Sequence, residues 1–203
     1  MAQINDVTTA TPLAIDLVSK AARVTLYHSN GVEMDPEPAA EAVVTSGTIL
    51  TTAALTIGSG ILAIRNGASR KLKLVGIEIM MSYSSIAAAT VFTINMLRNN
   101  AASTTATGGS TLAPWLEDTT GAASTIADSR VCLVNTALTI TGLTSNAFLG
   151  SWHVSRAVTG QSIFLELSNK DYTFQPNEGV YFILGTAGAI GDAFSINCYF
   201  KEY

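Results

Sequence analysis

The sequence predicts an all-β protein: a jelly-roll-like antiparallel β-sandwich with an extended N-terminal arm and hairpin. Three observations lead there. Short runs rich in Thr, Val and Ile recur along the 203 residues, and such residues favour the pleated, half-buried surface of a strand. Turn chemistry separates these runs, and no stretch holds a 3.6-residue apolar period through three turns. Many short strands joined by turns imply two packed sheets.

Residues 1–20 are polar, Thr-rich and interrupted by proline, as an arm would be. "AARVTLYHSNGVEM" then reads as a hairpin, with Val24 and Leu26 on one face and Ser29-Asn30-Gly31 as the turn. "DPEPAAE" is a linker, so the expected division is an arm and hairpin over 1–38 and a sandwich domain over 39–203. Strands are expected at 43–51, 53–57, 61–65, 70–83, 89–98, 130–134, 137–141, 147–154, 162–168, 180–184 and 193–201. In "KLKLVGIEIMMSY" the apolar parity changes from Leu72 and Leu74 to Ile77, Ile79 and Met81, which marks Gly76 as a β-bulge. "TVFTINMLR" places Phe92, Ile94 and Met96 inward. A long segment from Asn99 to Ser129 surrounds "LAPWLED"; Trp115 is read there first as a local anchor, and alternatively as an interface residue. "FQPNEGVYF" has Pro176 and Gly179 where a type I turn with a glycine bulge would put them.

"VYFILGTAGAIGDAF" imitates a cofactor loop: an apolar strand followed by Gly185, Gly188 and Gly191. The spacing is G-x-x-G-x-x-G rather than G-x-G-x-x-G, and too little chain remains for a helix, a second strand and an acid. The chain continues instead as a strand, with Phe194, Ile196, Cys198 and Phe200 on one face. The loop therefore reads as a hairpin connection, and no cofactor is expected.

Composition excludes other classes. Hydrophobic residues make up 48% and charged residues only 13%, about half the usual charged share, so uncharged surface is expected to be buried against other subunits. The stretch from Ala42 to Ile64 has no charge, but its Thr, Ser and Gly content reads as strands rather than a membrane helix. No secretory signal pattern opens the chain. A net charge of −4 gives no electrostatic case for nucleic acid. Arg65, Arg70, Lys71 and Lys73 cluster in "RNGASRKLK" and read as the solvated start of a strand. Cys132 and Cys198 are expected to be buried, reduced thiols.

No catalytic pattern emerges. The two histidines, His28 in the Ser-Asn-Gly turn and His153 on a strand, form no zinc motif, and there is no G-x-S-x-G. Glu166 paired with Asp171 or Glu178 would be the carboxylates of a glycosidase, but Glu166 alternates outward in "SIFLELS" and Asp171 lies in a turn, both ordinary solvated positions. Neither an enzyme nor a metal site is expected.

"SKAARVTLYHSNGVEM", a short "SGT" strand start, "SRKLKLVGIEI" and the closing "PNEGVYFIL" and "FSINCYFKEY" together resemble, loosely and over most of the chain, the virion structural proteins of tailed bacteriophages. These are small jelly-roll or β-sandwich proteins serving as capsid decoration (cement) proteins, head fibres or tail-associated proteins. The resemblance implies a homotrimer that clamps neighbouring copies of a major capsid protein, in a virion assembled in the host bacterial cytoplasm. It implies a tail fibre, baseplate or adaptor protein binding a host receptor as the alternative. The group fixes no catalytic or ligand residue. The arm and hairpin are the expected anchoring surface, with Arg23, Leu26, Tyr27 and Trp115 as partner-interface residues.

Overall fold

The computed structural model describes residues 14–15, 22–23, 40–51, 55–83, 91–116, 123–143, 148–155, 160–188 and 191–203. The chain divides into two units, Met1–Glu37 and Pro38–Tyr203. In the first, β1 (Ala14–Ile15) pairs antiparallel with β2 (Ala22–Arg23). The turn expected at Ser29–Gly31, with Leu26, Tyr27 and His28, lies outside the described residues.

The second unit contains β3 (Ala40–Thr45), β4 (Ile49–Leu50), β5 (Gly60–Asn66), β6 (Leu72–Tyr83), β7 (Val91–Asn99), β8 (Ser110–Thr111), β9 (Trp115–Leu116), β10 (Ile126–Val131), β11 (Phe148–Ser155), β12 (Gln161–Glu166), β13 (Thr173–Phe174), β14 (Gly179–Leu184) and β15 (Ala193–Glu202). They form two antiparallel sheets. One runs β11-β7-β14-β5-β10-β8. The other runs β12-β6-β15-β3-β9, with β13 on β6 and β4 on β15. Leaving out the short pieces and β10, the chain visits the sheets in the order β3, β5, β6, β7, β11, β12, β14, β15. Those eight strands fall into β3-β15-β6-β12 and β5-β14-β7-β11, the interleaved pair of Greek keys that defines a jelly roll. No helix among the described residues is long and apolar enough to cross a membrane. The uncharged stretch after Ala42 is strand β3, β4 and the start of β5, with 52–54 outside the described residues.

Alternation builds the core. Phe92, Ile94 and Met96 of β7 and Phe194, Ile196 and Cys198 of β15 are fully buried, with Phe200 nearly so. Phe92 and Phe194 meet from opposite sheets with ring centroids 4.9 Å apart. β14 is buried on both faces: Val180, Phe182 and Leu184 face the core between the sheets, while Tyr181 on the other face is covered by the segment around Leu138, to whose carbonyl its hydroxyl donates at 2.8 Å. The register of β6 against β15 skips one residue, with Tyr199 opposite Gly76 and Phe200 opposite Leu74. That is a bulge at Val75–Gly76, and it lets Leu72 and Leu74 share the core with Ile77, Ile79 and Met81.

Several expectations are corrected. Strand 43–51 is two strands broken by a turn, with Gly47 at φ 63°. The strand expected at 130–134 lies at Ile126–Val131. Residues 137–141 make only isolated bridges, Leu138 to Gly60 and Thr139 to Thr107. The segment Asn99–Ser129 is not a free loop: it supplies β8 to one sheet edge and β9 to the other. The turn before β14 is closed by Glu178 N donating to Gln175 O at 3.0 Å, with Asn177 at φ 64°. The ring of Pro176 locks its own φ at a negative value, so positive φ at the third position makes this a type II turn rather than type I.

The largest correction concerns the glycine loop. β14 and β15 belong to different sheets, so the connection between them, described at 185–188 and 191–192, is a crossover between sheets and not a hairpin. Thr51 N donates to Asp192 O at 2.9 Å, and Gly185 N donates to Thr93 O at 2.8 Å, so the crossover is tied to both sheets.

Candidate functional site

The outer face of the sheet β12-β6-β15-β3-β9 carries the most chemistry. Residues directly opposite in antiparallel strands point to the same side. One transverse row is therefore Glu166, Gly76, Tyr199, Val43 and Trp115, one residue from each strand. The neighbouring row is Phe164, Glu78, Asn197 and Thr45. The bulge at Val75–Gly76 shapes the surface between them. With no side chain on Gly76, the Phe164 and Tyr199 rings lean over its backbone: a Cβ there would stand 3.1 Å from Phe164 Cζ and 3.4 Å from Tyr199 Cδ2. The two rings meet edge to face, 5.7 Å between centroids. A groove of about 400 Å³ runs along this face, lined by Phe164, Tyr199, Glu166, Ser168, Glu41 and Lys201 among others.

Its polar groups are held in place. Glu78 accepts from Asn197 Nδ2 at 2.9 Å and from Ser162 Oγ at 2.8 Å, and the Tyr199 hydroxyl lies 3.4 Å away. Donation by Asn197 and Ser162 holds the Glu78 carboxyl below its ordinary value. A glycosidase general acid needs the opposite shift, so Glu78 is suited to accepting hydrogen bonds and not to donating a proton. Glu166 is exposed on the adjacent strand and accepts from Ser168 Oγ at 2.7 Å. Lys201 pairs with Glu41 at 3.1 Å across β15 and β3.

Trp115, expected as a local anchor, is 70% exposed. The backbone of β9 holds this segment to β3 and the ring projects from the sheet face. Arg23 is placed only by the pairing of β2 with β1, and Leu26 and Tyr27 lie outside the described residues. Asp171 accepts from Thr173 Oγ1 at 2.7 Å. Glu178 accepts from Arg98 Nη1 at 2.8 Å and from Gln175 N, fixing the turn before β14. Neither carboxylate shares the groove with Glu166, so the pairs expected of a glycosidase are not assembled. His153 Nδ1 lies 2.9 Å from Thr93 Oγ1 across β11 and β7, as a satisfied strand histidine would.

The basic cluster is not one solvated patch. Arg65 Nη1 donates to Asn99 Oδ1 and Ser103 O, both at 3.1 Å, and so pins the loop after β7. Arg70 Nη1 sits 3.7 Å from the buried Glu202. Cys132 and Cys198 are free and buried, and burial pushes the Cys132 thiol up to about 11 and the Cys198 thiol higher still. No cluster of metal-ligating side chains occurs among the described residues.

A second surface lies at one end of the sandwich. The registers bring together the start of β5, the end of β14, the starts of β7 and β15 and the end of β10. Leu50, Ile57, Val91, Leu133 and Val134 are large apolar side chains exposed there. The ion pairs Arg98–Glu178, Arg70–Glu202 and Lys201–Glu41 lie toward the opposite end. Sequence reading missed both surfaces, because each is assembled from strands distant in the chain. No protein family, curated protein or solved structure matches the chain.

Proposed function

We propose that this protein is a non-enzymatic structural component of a tailed-phage virion, a trimeric capsid decoration protein that binds the head and its own copies. The apolar end supports this reading most strongly. Scattered exposed apolar residues are ordinary, whereas several gathered at one end of a domain mark a contact surface. The low charge content fits burial of that end between copies. The jelly roll is an architecture that capsid proteins use, and this is support by analogy only. Repeated contacts on a lattice would add up to tight binding even if each were weak.

Light scattering on a sizing column tests this with the full chain. The expected result is a species about three times the 21.2 kDa chain mass. The double variant Ile57→Asp, Leu133→Asp is expected to elute as a monomer with an unchanged circular dichroism spectrum, since both side chains lie outside the core. A monomeric wild type overturns the trimer. The alternative, a tail fibre or adaptor that binds a host receptor, is favoured by one observation, the aromatic groove on the sheet face.

A further inference from the structure

We propose that the groove on the outer face of the β12-β6-β15-β3-β9 sheet is a binding site for a neutral glycan. Such a site would serve the protein wherever it resides, in a virion or outside one.

A sugar ring offers two kinds of surface: a face of C–H groups that packs on aromatic rings, and a rim of hydroxyls that both donate and accept hydrogen bonds. The groove presents matching groups in fixed positions. Phe164 is 59% exposed although it is a large apolar side chain, and Tyr199 stands beside it over the bare backbone of Gly76. Trp115 is on the same face two strands beyond Tyr199, a separation of roughly 10 Å at the usual strand spacing. The aromatic surface thus extends across the strands, as a short oligosaccharide would lie.

The polar groups sit between and beside the rings. Among the described residues Glu166 has one donor, Ser168 on Oε1, leaving Oε2 to accept from a sugar hydroxyl. Glu78 accepts from Ser162 on Oε1 and from Asn197 and Tyr199 on Oε2, which orients it and leaves acceptor capacity on Oε1. Lys201, held by Glu41, supplies the cationic donor at the far wall.

This mixture selects the ligand class. A groove meant for an apolar peptide segment or a second copy would not line its walls with Glu41, Glu166 and Lys201, since covering these charges would strip their hydration. In the lining Glu41 and Glu166 stand against Lys201, and Lys73 lies opposite Lys201 on β6, so no excess of positive charge draws acidic sugars, and neutral ones are the ligand class left.

The test uses the full chain and a panel of neutral oligosaccharides of gluco, galacto and manno configuration, with a uronic-acid oligosaccharide as the acidic counterpart. Binding is read by titration calorimetry and by intrinsic fluorescence. At least one neutral probe is expected to bind, and Phe164→Ala and Glu166→Gln are each expected to weaken it by about tenfold. Both residues are exposed, so the variants are expected to keep the wild-type melting temperature. Failure of the whole neutral panel, binding of the acidic probe alone, or neutral binding that survives both substitutions overturns the proposal. So does a fall in native mass on Phe164→Ala without glycan binding, which would make the groove a contact between copies.

Discussion

Phe92 and Phe194 offer the sharpest test of how the two sheets hold each other. Both rings are fully buried, they come from β7 and β15 in opposite sheets, and their centroids lie 4.9 Å apart at an interplanar angle of 54°. Replacing either ring by leucine removes buried carbon and leaves a partial void. The cost lies between a methylene deletion and a full Phe→Ala truncation, about 1–3 kcal/mol for each single variant. A tilted aromatic pair adds about 0.5–1.5 kcal/mol beyond area burial. In a double-mutant cycle the second substitution should therefore cost less than it does alone, by about that amount. Urea unfolding of wild type, Phe92→Leu, Phe194→Leu and the double variant measures it. Additivity within about 0.3 kcal/mol would refute the packing of these sheets at this pair.

Other perturbations address different links. Gly179 pairs with both Arg65 and Asn99, and a Cβ there would stand 2.0 Å from Ile64 O. Gly179→Ala should therefore destabilise by about 1–3 kcal/mol, measured by urea unfolding; an unchanged midpoint would contradict the close approach. Tyr181→Phe removes the hydroxyl that donates to Leu138 O and should cost about 1 kcal/mol, seen as a lower melting temperature. Burial raises the Cys132 thiol from 9.0 to about 11 and the Tyr181 hydroxyl from 10.0 to about 12. Both groups ionise more readily unfolded, so their contribution is intact below pH 9 and is lost as pH rises through 9–12. The melting temperature should fall over that window, and the fall should shrink in a Cys132→Ser, Tyr181→Phe double variant. Native thiols should also resist a disulfide reagent at neutral pH, because neither cysteine presents an exposed thiolate.

Much of the sandwich was legible in the sequence, for a physical reason. Alternation with a period of two fixes which side chains enter the core, so β7 and β15 could be read from Phe92 to Met96 and from Phe194 to Phe200. Even the bulge at Gly76 was visible, because a phase change in the alternation has few other causes. Pairing partners were not legible. "VYFIL" and "AFSINCYF" look like a hairpin because they are close in sequence, but β14 pairs with β5 and β7 while β15 pairs with β6 and β3. Two-residue edge strands such as β8 and β9 carry no periodic signal at all. Trp115 was read first as a local anchor and alternatively as an interface residue; the backbone of edge strand β9 does the anchoring, and the ring is left exposed. The groove was invisible for the same reason as the pairing: Phe164, Gly76 and Tyr199 come from three strands spread over more than half the chain.

The central claim is that this jelly roll is a part of a phage particle. Immunogold electron microscopy, with antibody raised against the full chain and applied to particles from an expressing host, tests it most directly. The account predicts gold distributed over the heads. Gold confined to tails would replace the decoration reading with the receptor-binding one. Antigen found only as free protein, with particles unlabelled, would contradict the claim.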